Sequence, residues 1–181
     1  RRSLELAGLS KSSAKKIIEK IRDRKKDCHT TTSLRNATCK EIAKISKVLA
    51  ANYNVVKAIY ALGPTGFPFE ILCSEMLKAK GFKTTVSVIK KGKFVNHEVD
   101  VVAEREDINV YFECKYHGKK FYKNDIQVAL YINSRCLDIQ AGNPKENFRY
   151  GIISNTYFSD DAIKYSKGVG ILLYSMNYPK D

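Results

Sequence analysis

The sequence predicts an α/β protein in which an all-helical segment, residues 1–63, precedes a domain ordered αβββαβαβ, residues 64–181. Three observations predict it. Apolar residues before Leu62 recur at helical spacing, whereas Asn96–His117 alternates apolar and polar residues in the manner of half-buried strands. Between them, Leu62-Gly-Pro-Thr-Gly-Phe-Pro68 places two glycines and two prolines within seven residues and marks a boundary. Charge divides the same way, since +10 of the net +13 falls in residues 1–63.

The first segment opens as a helix already under way and ends near Gly8, a natural C-cap, so an N-terminal piece is expected to precede it. Ser10 caps a second helix with an apolar stripe of Ala14, Ile17, Ile18 and Ile21; Lys15, Lys16, Lys20 and Arg24 face water. Residues 27–38 are polar and read as a loop, with Thr38 capping a third helix whose inward set is Ile42, Ile45, Val48 and Leu49. A fourth helix is expected over Asn54–Leu62, with Val55, Val56, Ile59 and Tyr60 inward. In the second segment a helix over Pro68–Lys80 would bury Phe69, Ile71, Leu72, Met76 and Leu77. Strands are expected at Lys83–Lys90, His97–Glu104 and Asn109–Tyr116, then a helix over Lys123–Ile139 and a strand at Tyr150–Ser154. A helix capped by Ser159 and a last strand over Gly170–Tyr174 close the order.

The hairpin NHEVDVVAEREDINVYFECKYH carries the chemistry. If Glu106-Asp107 is a two-residue turn, Asp100 lies opposite Glu113 and Glu98 opposite Lys115. Paired Cβ atoms sit about 5 Å apart, where two carboxylates repel by about 3 kcal/mol at an effective dielectric near 20. Lys115 offsets part of that, and a divalent cation would offset more. Mg²⁺ suits such a half-built site, because it keeps several waters and takes one or two carboxylates plus phosphate oxygens.

Asp100 and the triplet Glu113-Cys114-Lys115 match the Asp…(Asp/Glu)-x-Lys motif, and this part of the chain resembles the PD-(D/E)XK nuclease superfamily, closest to its Mrr-like and archaeal junction-resolvase-like branches. The tail GIISNTYFSDDAIKYSKGVGILLYS resembles the Mrr-like branch too. The triplet Asp23-Arg24-Lys25 also fits the motif, but sits in a charge-rich helical stretch and reads as a solvated face. The resemblance implies a restriction-endonuclease-like core, a central mixed sheet flanked by helices. It implies Mg²⁺ (or Mn²⁺) held by Asp100 and Glu113, with Cys114 lending a backbone carbonyl and Glu70 supporting the metal directly or through water. Asp100, Glu113, Lys115 and Glu70 are the implied catalytic set. Lys115 would orient or activate water and contact the phosphate; Glu70 is equally readable as a helix-start acid favourable to the dipole. Gln127 matches an accessory polar position in some relatives, with Asp125 beside it as a helix-start acid.

The helical segment, through RRSLELAGLS, KKIIEKI and KEIAKISKVLAANYNVVKAIYAL, resembles the ATP-cone module, a nucleotide-sensing domain. In that family much of the nucleotide grip comes from a β-hairpin ahead of the first helix, which has no counterpart here, so ATP is expected of a longer chain rather than of these residues. A helical bundle packing beside the nuclease or holding DNA is the plainer reading.

A basic chain suits a polyanion. Lys91 and Lys93 in one turn, and Lys119, Lys120 and Lys123 in the loop after the second hairpin strand, supply amines near glycines for phosphate tracking, as would His97 and His117 flanking the acids. Tyr116, Phe121 and Tyr122 are read as packing residues. Five cysteines without a C-x-x-C pair and only three histidines argue against structural zinc and for a reducing cytoplasm. Neither a membrane-length apolar run nor a signal-peptide pattern is visible. The expected protein is a Mg²⁺-dependent DNA endonuclease acting as a homodimer. The alternatives are a silent nuclease fold serving as a DNA-binding or nucleotide-sensing module, and a nuclease acting on RNA or branched junctions.

Overall fold

The computed structural model describes residues 1–23, 30–106 and 108–179, and of Val56 the backbone alone. The readings placed on Arg24, Lys25, Asp107 and the Val56 side chain lie outside the described residues. The chain divides into two compact units, Arg1–Ala61 and Leu62–Asp181.

In the first unit α1 (Arg2–Leu6) ends at Gly8, whose φ of +95° lets Gly8 N–H reach Glu5 C=O and Leu9 N–H reach Leu4 C=O. Ser10 Oγ accepts from Ser13 N–H at the start of α2 (Lys11–Asp23), whose buried stripe is Ala14, Ile17 and Ile21. These pack with Leu4, Ala7, Leu9, Ile42 and Ala50. The expected loop over 27–38 is corrected: α3 runs Thr31–Ala43, capped by a reciprocal Thr30–Ser33 pair. Thr38 is inside it, donating its hydroxyl to Leu34 C=O, so a residue read as a cap is satisfied mid-helix instead. The chain breaks after Ala43 and restarts as α4 (Lys47–Tyr60), capped by Ser46. That break shifts the helical phase, which leaves Ile45, Val48 and Val55 exposed rather than inward.

In the second unit α5 (Phe67–Lys78) buries Phe69, Cys73 and Leu77, a stripe four residues apart. Ile71 and Met76, expected inside, fall off that stripe and are exposed; Ser74 is buried instead, its hydroxyl 2.7 Å from that of Thr84. Strands β1 (Lys83–Lys91), β2 (Asn96–Arg105) and β3 (Ile108–Lys115) form an antiparallel meander. The helix expected from Lys123 starts later. Lys123–Asn124 is a short strand, β4, and α6 (Ile126–Gly142) begins after Asp125, whose carboxylate accepts from Gln127 N–H. Then come β5 (Phe148–Ser154), β6 (Tyr157–Phe158), α7 (Asp160–Val169) capped by Ser159, and β7 (Leu172–Tyr174).

The main sheet is ordered β1-β2-β3-β5-β7, with β3, β5 and β7 parallel, and β4 pairs β6 in a second, two-stranded sheet. It is therefore a mixed central sheet flanked by helices. Val110 through Cys114 are all buried, which places β3 under cover on both faces. Cys73 of α5 meets Cys114 on one face, and Ile139 of α6 packs with Tyr111 on the other. No helix among the described residues is long and apolar enough to cross a membrane.

Candidate active site

The β2–β3 register follows the two-residue turn: Val101 pairs Phe112, Ala103 pairs Val110 and Arg105 pairs Ile108. The ladder ends at the first of these pairs, with Asp100 and Glu113 the residues just beyond it and close enough for the Glu113 charge to act on Asp100. Asp100 Oδ2 accepts the Cys114 N–H at 2.7 Å, so the carboxylate is tied to the strand that carries the second acid. On β3, Glu113 and Lys115 are two residues apart and share a face, and Lys115 Nζ lies 2.5 Å from Glu113 Oε1. Glu70, from the first turn of α5, joins electrostatically. Burial raises its pKa, the charges of Glu98 and Glu113 raise it further, and Lys115 works against them. Asp100, Glu113 and Lys115 are thus neighbours, and Glu70 is near enough for the charges of Glu113 and Lys115 to act on it.

Crowding shows most at Asp100. Burial first, then the neighbouring Glu113, push its carboxyl up from 3.8 to about 6, while the Cys114 N–H bond and Lys115 hold it back. Two acids and a lysine packed this closely, with oxygen donors only, suit a hard divalent cation better than a soft one. Among the described residues no three His, Cys, Asp or Glu side chains converge on one point to form a complete cage. A cation here would keep waters or take oxygens from a substrate, which is the habit of Mg²⁺. Cys114 contributes no thiol chemistry: its hydrogen bond to Cys73 and its burial hold the thiol well above the ordinary cysteine range.

Sequence reasoning missed the groups that hold this cluster. Arg135 of α6, twenty-two residues from Glu113, places Nη1 2.5 Å from Glu113 Oε2 and 3.0 Å from the Glu98 carbonyl, and Nη2 2.7 Å from Tyr131 Oη. Its guanidinium also lies over the Tyr131 ring. Both Glu113 oxygens therefore meet a cation, whereas Asp100 meets a backbone N–H.

A second set braces the end of β3. Asn124, 1% exposed, donates to Ser154 Oγ and Tyr157 C=O, and Ser154 Oγ donates to Lys115 C=O. The Asn155 amide accepts His117 N–H and donates to His117 C=O. With its NH₂ spent, Asn124 must receive through Oδ1, so His117 Nε2, 2.8 Å away, carries the proton. Tyr122 stacks on the His117 ring.

The remaining expected contacts are dispersed. His97 is taken up by Asp138 of α6, 2.7 Å from its Nε2, rather than by the acids. Lys91, Lys93, Lys119, Lys120, Lys123 and Gln127 are exposed. Of the aromatics, Tyr116 packs beside Phe69, while Phe121 is exposed. No local pattern marks Arg135, Asn124 or Asp138, because each acts on a residue distant in sequence.

Known proteins place this arrangement. An uncharacterized protein of Archaeoglobus fulgidus is 38% identical over 108 residues, which is 59% of this chain and 59% of that relative. The crystal structure of AF1548, a protein of unknown function, superposes with a TM-score of 0.59 at 33% identity, covering 64% of this chain and 61% of that one. A repair endonuclease from Pyrococcus abyssi is more distant, with a TM-score of 0.46 and 19% identity over 63% of this chain and 46% of its own. The chain thus spans about three fifths of the first two relatives. Residues 63–177 match the Mrr_cat model, described as restriction endonuclease, and the chain belongs to that family of restriction-endonuclease-like nucleases.

Proposed function

We propose that the second unit is an Mrr-like DNA endonuclease that requires Mg²⁺ or Mn²⁺ and uses Asp100, Glu113 and Lys115, with Glu70 in support. The observation that carries this reading is the Asp100 carboxylate, bonded to the strand of Glu113 and Lys115 and driven up to about 6 by burial and by Glu113. A fold under no functional constraint would gain from removing such a charge.

Phosphodiesters resist attack because their charge repels a nucleophile. A divalent cation, when bound, neutralises that charge and supplies a nucleophile at neutral pH. Asp100, Glu113, the Cys114 carbonyl and Glu70 are the oxygen donors that would hold it. Lys115, anchored through its carbonyl by Ser154 and through Nζ by Glu113, presents its ammonium group to the phosphate and orients the attacking water. Arg135 keeps Glu113 turned toward that ammonium. Lys119, Lys120, Lys123 and Gln127 lie on exposed surface suited to the DNA backbone. A homodimer suits cleavage of both strands of a duplex. The helical unit is read as a partial ATP-cone-like module.

The test is an incubation with plasmid, linear duplex and four-way junction, with Mg²⁺ or EDTA, beside Asp100→Asn and Lys115→Ala. Cleavage by the parent with Mg²⁺ alone, and by neither folded variant, is expected. Binding without cleavage by the parent would make the domain a silent DNA-binding module. Preference for the junction would change the substrate, and a response to added ATP would assign nucleotide sensing to the helical unit.

A further inference from the structure

The turn joining β1 to β2 is held far more firmly than a surface loop requires. Phe94 N–H lies 3.1 Å from Asp138 Oδ1, Val95 N–H 3.4 Å from Oδ2, and Lys93 N–H 2.9 Å from the Asp138 carbonyl. His97 closes on the same carboxylate, and Gly92 N–H bonds Val95 C=O at 2.8 Å. The loop backbone sits against α6 so closely that a Cβ on Gly142 would stand 2.5 Å from the Gly92 carbonyl carbon. Yet the side chains this scaffold fixes point into solvent: Phe94 is 79% exposed and Val95 59%. Fixing a loop whose apolar side chains stay largely exposed costs entropy and surface energy, and binding is where that cost is recovered.

The partner follows from what surrounds the tip. Lys91 and Lys93 precede Phe94 in the same turn, both exposed, and Lys93 Nζ lies 5.2 Å from the centre of the Phe94 ring. Asp138, the acid that touches the loop, is occupied by His97 and two backbone amides. A second copy docking through this tip by two-fold symmetry would bring Lys91 and Lys93 of both chains together with the nearby acid already taken up. A polyanion meets no such repulsion. An exposed aromatic side chain with amines beside it matches base steps and their phosphates, the arrangement in which a protein inserts an apolar wedge into a duplex. We propose that the Lys91–Val95 tip is a preformed DNA wedge, with Phe94 entering between base pairs while Lys91 and Lys93 hold neighbouring phosphates. The proposal rests on the nuclease reading. Phe94 precedes Asp100 by six residues, a span of at most about 20 Å along a strand. That is at most about six nucleotide steps, so the wedge enters the duplex within about six base pairs of the phosphodiester that is cut.

The experiment uses the full chain carrying Asp100→Asn, which holds DNA without cutting it, and duplexes with 2-aminopurine at successive positions around the site the parent cleaves. A rise in fluorescence at one position within about six base pairs of the cut is expected. Phe94→Ala should abolish it and weaken binding by about 10-fold, and Phe94→Trp should keep both. Because Phe94 stays largely exposed, its loss leaves folding intact, and an unchanged melting temperature checks this. Normal cleavage by the parent, with no fluorescence rise or an equal rise in Phe94→Ala, overturns the wedge and leaves the nuclease standing. Self-association in sedimentation that Phe94→Ala abolishes assigns the tip to a second copy and overturns it as well. A parent that neither binds nor cuts DNA overturns both readings.

Discussion

Replacing Asp100 by asparagine should stabilise the metal-free protein while destroying its activity. The folded-state pKa of Asp100 is raised from 3.8 to about 6, so its contribution is fully present below the unfolded value and is lost as pH rises through the folded one. A rise of that size corresponds to about 3 kcal/mol at most. Asp100 is only half-buried, and solvent screening reduces this to about 1–2 kcal/mol. Asparagine keeps the oxygen that accepts the Cys114 N–H and drops the charge that burial and Glu113 oppose. In EDTA at pH 7.5 the variant should melt about 2–8 °C above the parent. The gap should open between pH 4 and pH 6, vanish below about pH 3.5 and stay level above pH 6.5. Saturating Mg²⁺ or Mn²⁺ should raise the parent's melting temperature and leave the variant's unchanged, narrowing the gap. Scanning calorimetry across pH, with and without the cation, measures all of this. A variant equal to or less stable than the parent at pH 7.5, or a gap that ignores pH, would refute the claim that these acids are crowded.

Lys115→Ala should lower cleavage by at least about 100-fold, the usual scale for losing one group that stabilises transition-state charge, while duplex binding measured by anisotropy in Ca²⁺ stays within a few-fold. Arg135→Met should lower stability by about 3 kcal/mol in urea, because it leaves the buried Glu113 with Lys115 alone, and Arg135→Lys should recover part of that loss. Asn124→Ala should cost about 3 kcal/mol by stranding Ser154, the Tyr157 carbonyl and His117, and long-range ¹⁵N NMR of His117 should show the Nε2–H form replaced by a mixture of tautomers.

What could be read from the sequence is what depends on near neighbours. The β2–β3 register follows from alternation and a two-residue turn, and a slip by one would have sent Glu113 and Lys115 to the other face. The caps at Ser10 and Ser159 are equally local. The start of α3, before Thr38, escaped notice because threonines and serines, poor helix formers alone, are satisfied there by the Thr30–Ser33 pair and by bonds back along the helix, as at Thr38. Ile45 was misplaced because one helical phase was carried through a break that no glycine or proline announces. Asn124 and Arg135 look like ordinary polar residues until the crossover after β3 brings α6 and β5 against the strand end.

The site joins both kinds of information, and its two acids show why both are needed. Asp100 and Glu113 lie just past the end of one ladder, chemically alike, yet their surroundings differ. Glu113 meets Lys115 from its own strand and Arg135 from α6; Asp100 has a backbone N–H, a like charge beside it, and a pKa near 6. The hairpin alone would give two equivalent carboxylates repelling each other. Adding α6 settles Glu113 and concentrates the unbalanced charge on Asp100. On the nuclease reading, that residue then has the most to gain from a cation, and its affinity for one should fall as pH drops below about 6, because the proton and the metal compete for the same oxygens.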